Sequence, residues 1–318
     1  MSASAPLPDV PYAAWRDTKD TLHLFAQQVG KVKLACTPPQ NHWWHATLAV
    51  DTRGITSGRM VSGGIGFDLS FDLIDHALVA RTDDGHLESF ALLDGLTVAA
   101  FNEQLFSMLA GLGLDVTITP TPFGVPMTTP FAADVEHCSY DEDFVHRYWR
   151  ALCWIDWVFR EFGGWFSGKT SPVHLFWHSL DLAVTRFSGR RAPLGEGVDA
   201  VTAEAYSHEL ISFGFWPGDQ TTPQPTFYSY TAPEPEGLTG EQLAPGSMWV
   251  DTGSGSLAVL PYDAVRESAD PRVTLLEFLQ SAYDAGSGAA GWTVDDLRSS
   301  WSPPAGAFSP RASTGRAR

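Results

Sequence analysis

Charged side chains are scarce: they make up 18% of the 318 residues, against roughly a quarter in an average soluble protein. The shortfall is mainly basic. Twenty Lys and Arg stand against thirty-seven Asp and Glu, a formal net charge of -17, and lysine occurs only at Lys19, Lys31, Lys33 and Lys169. Such a surface repels phosphate backbones and anionic lipid, which excludes nucleic acid and the membrane surface as expected partners. Cysteine is also sparse. Cys36, Cys138 and Cys153 are odd in number and have no C-x-x-C spacing, which argues against a disulfide framework and a thiolate zinc knuckle and fits a reducing cytoplasm. No apolar run approaches the roughly 18 residues of a membrane span. The first fifteen residues lack a basic n-region and an apolar h-region, so no export signal is expected.

Aromatic residues fill the gap: twelve Trp, nineteen Phe and eight Tyr, too many rings for all to be completely buried. Helical spacing of Trp15, Leu22, Phe25, Ala26 and Val29 predicts a first helix, with Gly30 as its stop. Strands are expected over 32–37, 44–50, 67–73, 77–81 and 88–92. The clearest is 67–73, where Phe67, Leu69 and Phe71 alternate with Asp68, Ser70 and Asp72, the pattern of a half-buried antiparallel strand. A helix over 97–112 and a strand over 115–119 close this block. After a Pro-rich stretch the order begins again: a helix over 141–162, strands over 173–187, 209–216, 226–231, 248–251 and 256–260, then helices over 262–268 and 271–285, the last with Pro in its first turn.

The expected fold is therefore α+β, with two related helix, antiparallel sheet, helix halves packed as one unit. Its divisions are an N-terminal extension (1–14), a first half (15–120), a Pro-rich bridge (121–140), a second half (141–301) and a disordered tail (302–318). The relation between halves rests on two pairs of strings: Gly30-Lys31 with Gly168-Lys169, and Trp44-His45 with Trp177-His178.

Residues 163–170, GGWFSGKT, match the phosphate-binding pattern G-x-x-x-x-G-K-[ST] literally. Their context argues against it, because a helix precedes and a strand follows, whereas a P-loop leaves a strand and opens a helix. His174 and His178 on one strand would stand about 13 Å apart, too far to share an ion, so no metal is assigned. No G-x-S-x-G elbow exists, and Cys153 in a Trp-rich helix reads as a small buried hydrophobe. Local charge is more informative. Between Arg160 and Arg191 five basic residues, Arg160, Lys169, Arg186, Arg190 and Arg191, face only Glu161 and Asp181. This basic island is interleaved with Trp165, His174, Trp177 and His178 and is followed by His208, Glu209 and Trp216. The cluster Asn41-His42-Trp43-Trp44-His45 is its counterpart in the first half.

The strings WRDTKDTLH from Trp15, NHWW from Asn41, SPVH from Ser171, DLAVTRFSGR from Asp181, YSHE from Tyr206, GFWPG from Gly214 and LPYD from Leu260 resemble a family of uncharacterised bacterial proteins, one of the domain-of-unknown-function families. The resemblance spans Trp15 to about Trp292 and implies one full-length unit. It also implies glycine in relatives where this chain has His178, which removes that histidine from the catalytic candidates. It brings no activity, substrate or cofactor.

From the residues, the expected function is binding or turnover of a polar, anionic small molecule in an aromatic, locally basic cleft. Arg186 and Arg190 are expected to anchor the anion beside Lys169, His42 and His174. Trp43, Trp177 and Trp216 would supply stacking walls, and His208 with Glu209 the acid/base chemistry. No motif names a cofactor. The alternative is a non-catalytic protein-interaction module that uses exposed aromatics, since aromatic and Arg enrichment also marks interfaces.

Overall fold

A computed structural model describes residues 7–193, 195 and 197–300; the tail expected at 302–318 lies outside them. The fold is α+β, with two six-stranded antiparallel sheets. Helix α1 (Tyr12–Cys36) and a 3-10 turn (Asn41–Ala46) lead into the first sheet: β1 (Ala49–Val50), β2 (Gly54–Thr56), β3 (Met60–Ser62), β4 (Ile65–Asp72), β5 (Ala77–Thr82) and β6 (Leu87–Ala91). They line up as β1-β2-β4-β5-β6, with β3 also on β4. Helix α2 (Val98–Gly111) follows, its first turn capped by the Thr97 hydroxyl. Phe25 of α1, Phe101 of α2 and Phe71 of β4 stack into the core of this half.

Helix α3 (Glu142–Gly164), capped by Asp141, opens the second half. Its sheet contains β7 (His174–Phe176), β8 (Asp181–Arg191), β9 (His208–Trp216), β10 (Thr226–Ala232), β11 (Met248–Asp251) and β12 (Ser256–Pro261), in the order β11-β12-β10-β9-β8-β7. A short α4 (Ala200–Ala205) lies between β8 and β9; α5 (Tyr262–Arg266), α6 (Pro271–Ala289) and α7 (Val294–Leu297) follow β12. The two sheets are joined through main chain. Leu48, just before β1, exchanges both backbone hydrogen bonds with Leu175 of β7, at 2.9 and 2.8 Å.

Several boundaries differ from expectation, each for a physical reason. Helix α1 runs through Gly30 and ends at Cys36, so 32–37 is not a strand. Gly30 does not end the helix: a Cβ there would overlap the Trp177 ring, and the glycine lets that indole lie against the helix backbone. The effective stop is Thr37-Pro38, because a residue before proline is disfavoured in the helical region. Residues 44–50 divide into the end of the 3-10 turn and the two-residue β1, and 173–187 divides at a turn where Leu180 holds φ +56°. Residues 115–119 form no strand, while β2, β3 and α4 had no strong periodic signal. Gly30-Lys31 lies inside α1 whereas Gly168-Lys169 follows α3, and Trp44-His45 and Trp177-His178 occupy different turns. These strings do not mark equivalent places in the two halves.

Side chains on the second sheet alternate between two faces. On one face Arg186, Ile211 and Thr231 lie under α3 and α6. The other face carries Asp181, Phe187, His208, Trp216, Tyr228 and Tyr230, and the 3-10 turn with α4 stands over one end of it.

Candidate functional site

The 3-10 turn docks on α4 through three hydrogen bonds. The His42 amide donates to Glu204 Oε1 (3.1 Å), His42 Nδ1 meets the Ala205 carbonyl (3.1 Å), and Trp43 Nε1 donates to the Val201 carbonyl (3.0 Å). His42 and Trp43 both adopt left-handed backbone, φ +54° and +60°. Outside glycine this conformation costs roughly 1–2 kcal/mol per residue, and such strain collects at functional sites. The Ala205 carbonyl only accepts, so it holds the proton on Nδ1 and leaves the Nε2 lone pair free.

That lone pair faces Lys169, whose Nζ lies 2.6 Å from His42 Nε2. Lys169 follows the end of α3 in an extended stretch that pairs with β8, its carbonyl accepting from the Phe187 amide and Thr170 bridging Arg186. This register puts the lysine on the same face as Phe187. Its ammonium lies 5.3 Å from the Trp44 ring centre and 5.0 Å from that of Phe187, within cation-π range. Burial pulls its pKa below the ordinary lysine value, opposed in part by Glu204. His42 is also held below the ordinary histidine value, first by burial and then by the Lys169 charge. Its ring stacks on Phe187 at 4.4 Å and meets His208 edge-on at 5.7 Å. His208 Nδ1 lies 3.1 Å from Ser207 Oγ.

The structure therefore brings together His42, Lys169 and His208, with Trp44, Phe187 and Glu204 added, while Trp43 shares the turn but stacks its ring on His45 at 5.4 Å. Trp44 belongs to the NHWWH cluster singled out from the sequence, whereas Phe187 and Glu204 were not assigned to the site, although Phe187 was open to detection as an alternating position on β8. The other expected residues lie elsewhere. Arg186 points to the opposite face, almost fully buried, where it donates to the Phe162 carbonyl near the C-terminus of α3 and lies 3.5 Å from the Phe162 ring centre and 4.6 Å from that of Tyr283. Burial lowers its pKa to about 9. Arg190 pairs with Glu209 (2.7 Å) and donates to the Ala290 (2.7 Å) and Gly291 (3.2 Å) carbonyls at the end of α6. Two cations of the basic island thus cap helix C-termini, where the helix dipole is negative, and neither anchors an anion at this site.

Glu209 follows His208 in β9 and so takes the opposite face, with Arg190 and Ser188 (2.9 Å); the expected acid/base pair does not share a pocket. His174 is buried at the β7 edge with Nδ1 3.4 Å from Thr47 Oγ1, and burial lowers its pKa to about 3. Trp177 packs against Gly30 and donates to the Ala46 carbonyl at 2.6 Å. Trp216 lies on the His208 face but at the far end of β9, eight residues or about 27 Å away at strand rise. Along the face between the two ends, Tyr206 Oη lies 3.2 Å from Tyr230 Oη, Tyr230 stacks on Tyr228 at 6.3 Å, and Tyr228 donates to Asp181.

Residues 163–170 run from the end of α3 into extended chain, without the strand-to-helix geometry of a P-loop. Among the described residues no group of three or more His, Cys, Asp or Glu is placed to hold a metal ion, and no helix is long and apolar enough to cross a membrane. No curated protein and no solved structure matches the chain. Residues 7–299, which include every member of the cluster, match a Family of unknown function (DUF5996), and the chain belongs to that family.

Proposed function

We propose that the protein binds a polar, anionic small molecule at the end of the second sheet's face opposite α3 and α6, with Lys169 as the anchor, His42 and His208 as polar partners and Trp43 and Trp44 as ring walls. The observation that carries this reading is the setting of Lys169. Its half-buried ammonium is ringed by aromatics and hydrogen-bonded to a neutral imidazole, and no carboxylate of the described residues lies within ion-pair distance. Most other cations of the second half are engaged: Arg147, Arg160, Arg190, Arg266 and Arg272 each meet an Asp or Glu. A partly desolvated charge without a counter-ion is costly, and a bound anion would remove that cost. The overall charge of -17 gives no long-range attraction for anions, so selection rests on local geometry and favours small ligands over polyanions. The free Cys36, Cys138 and Cys153 suit a cytoplasmic setting.

Thermal unfolding with inorganic phosphate and a panel of mono- and dicarboxylates tests the reading. At least one anion raises the midpoint of the wild-type chain, and Lys169→Met removes that rise while the ligand-free midpoint stays close to wild type. An anion response of equal size in Lys169→Met, or none in the wild type, refutes it.

A further inference from the structure

We propose that Lys169 is a nucleophile, forming an imine with a small carbonyl compound that carries its own carboxylate. This deepens the anion-binding reading and rests on it. Four observations converge. The Lys169 nitrogen is within hydrogen-bond distance of an imidazole lone pair, Nε2 of His42, whose orientation and tautomer are fixed from behind by the Ala205 carbonyl. A second imidazole, His208, meets His42 edge-on on the same face. Among the described residues no carboxylate forms an ion pair with the ammonium, and Glu204 acts on it only through space. The backbone presenting His42 and Trp43 is held in a conformation these residues rarely adopt, which the docking on α4 maintains.

The other three lysines show what the arrangement adds. Lys19 pairs with Asp20 at 3.6 Å, Lys31 lies against the Phe131 and Trp177 rings, and Lys33 donates to the Thr47 carbonyl. None of them faces a nitrogen base in the hydrogen bonds of the structure. Lys33 is the internal control, because burial alone lowers its pKa to about 8. If a lowered pKa sufficed, Lys33 would react at least as readily as Lys169.

The step balances without redox chemistry. His42 Nε2 takes a proton from the ammonium, and the freed Nζ pair attacks the carbonyl carbon. A C–N bond forms while the C=O π pair moves to oxygen, and the proton that the now cationic nitrogen releases passes to that oxygen, giving a neutral carbinolamine whose nitrogen keeps its lone pair. The hydroxyl, protonated in turn from the His42–His208 pair, leaves as water, and the nitrogen pair closes the C=N bond. One ammonium and one carbonyl give one iminium and one water. The iminium keeps the positive charge beside the ligand's carboxylate, so the anchor survives the reaction. Removing general-base assistance typically costs about 10²-fold or more.

The experiment uses the full chain with glyoxylate and borohydride, followed by peptide mapping of carboxymethyl adducts at all four lysines. The expected result is reduction-dependent labelling at Lys169 well ahead of Lys33, Lys31 and Lys19, slowed by about 10²-fold in His42→Asn. Asparagine tolerates the left-handed backbone but supplies no base. Labelling of Lys33 at the same rate as Lys169, or none at Lys169, overturns the proposal. Thermal protection by phosphate or by any member of the carboxylate panel, measured on the same wild-type sample, separates the two claims. Protection without trapping removes the imine and leaves anion binding, whereas the absence of both removes both.

Discussion

Arg186 and Lys169 are two aromatic-caged cations on one sheet, separated by a single step of strand alternation. Among the described residues neither has a carboxylate within ion-pair distance, and both lie over rings. They differ in what accepts their hydrogen bonds. Arg186 is sealed beneath α3 and donates to a helix-terminal carbonyl that can never act as a base, so its charge belongs to the architecture. Lys169 is half-buried and meets an imidazole lone pair, and on the proposed reading its charge serves a ligand. In this sheet the role of a cation follows from its face and its acceptor more than from the local charge count.

The comparison breaks most sharply at Arg186. Replacement with Ala leaves a cavity among Phe162, Phe166 and Tyr283 and removes the α3 cap, which should cost roughly 3 kcal/mol or more in urea denaturation. Arg186→Met, which refills the volume, should recover much of that loss. Anion protection in either variant should match wild type wherever the protein remains folded. If it disappears, the separation of the two faces is wrong.

Acid probes two buried histidines. Burial holds His174 and, in α1, His23 to pKa values of about 3, against an unfolded value near 6.5. The unfolded chain therefore binds protons that the folded chain refuses. Stability should be fully present above pH 6.5 and fall as pH drops toward 3, by up to about 1.4 kcal/mol per pH unit for each histidine. Denaturation at pH 7 and pH 5 checks the sign, and His174→Gln should make the fall shallower.

A smaller effect is expected for Lys169→Met without ligand: within about 0.5 kcal/mol of wild type, as for substitutions outside a packed core. A much larger loss would make Lys169 a structural cation like Arg186. A comparably small change is Glu209→Gln, which weakens a partly exposed pair with Arg190 by about 0.5 kcal/mol and should leave anion protection intact, because Glu209 faces away from His208.

Periodic elements were legible in the sequence. Helices α2, α3 and α6 and strands β4, β5, β9 and β10 fall within a few residues of their expected spans, because a repeating buried face is written locally. Gly30 was misread because a glycine admitting a distant ring and a glycine ending a helix look alike until Trp177 is placed. Arg186 and Arg190 were misassigned for a related reason. Their acceptors are carbonyls of α3 and α6, and main-chain acceptors have no sequence signature. His42, Trp43, Lys169 and His208 were named before their geometry was known, yet the backbone strain at His42 and Trp43 could not be read, since neither position carries glycine.

The two hydrogen bonds between Leu48 and Leu175 also bear on dissection. A cut between residues 121 and 140 would give one piece whose Leu48 main-chain groups lack their partner and another with β7 as a bare outer strand. Exposed strand edges seek partners, so each piece alone would be prone to self-association. Co-expressed, the two pieces offer each other the complementary edge, which makes that stretch a natural position for a split-protein complementation pair.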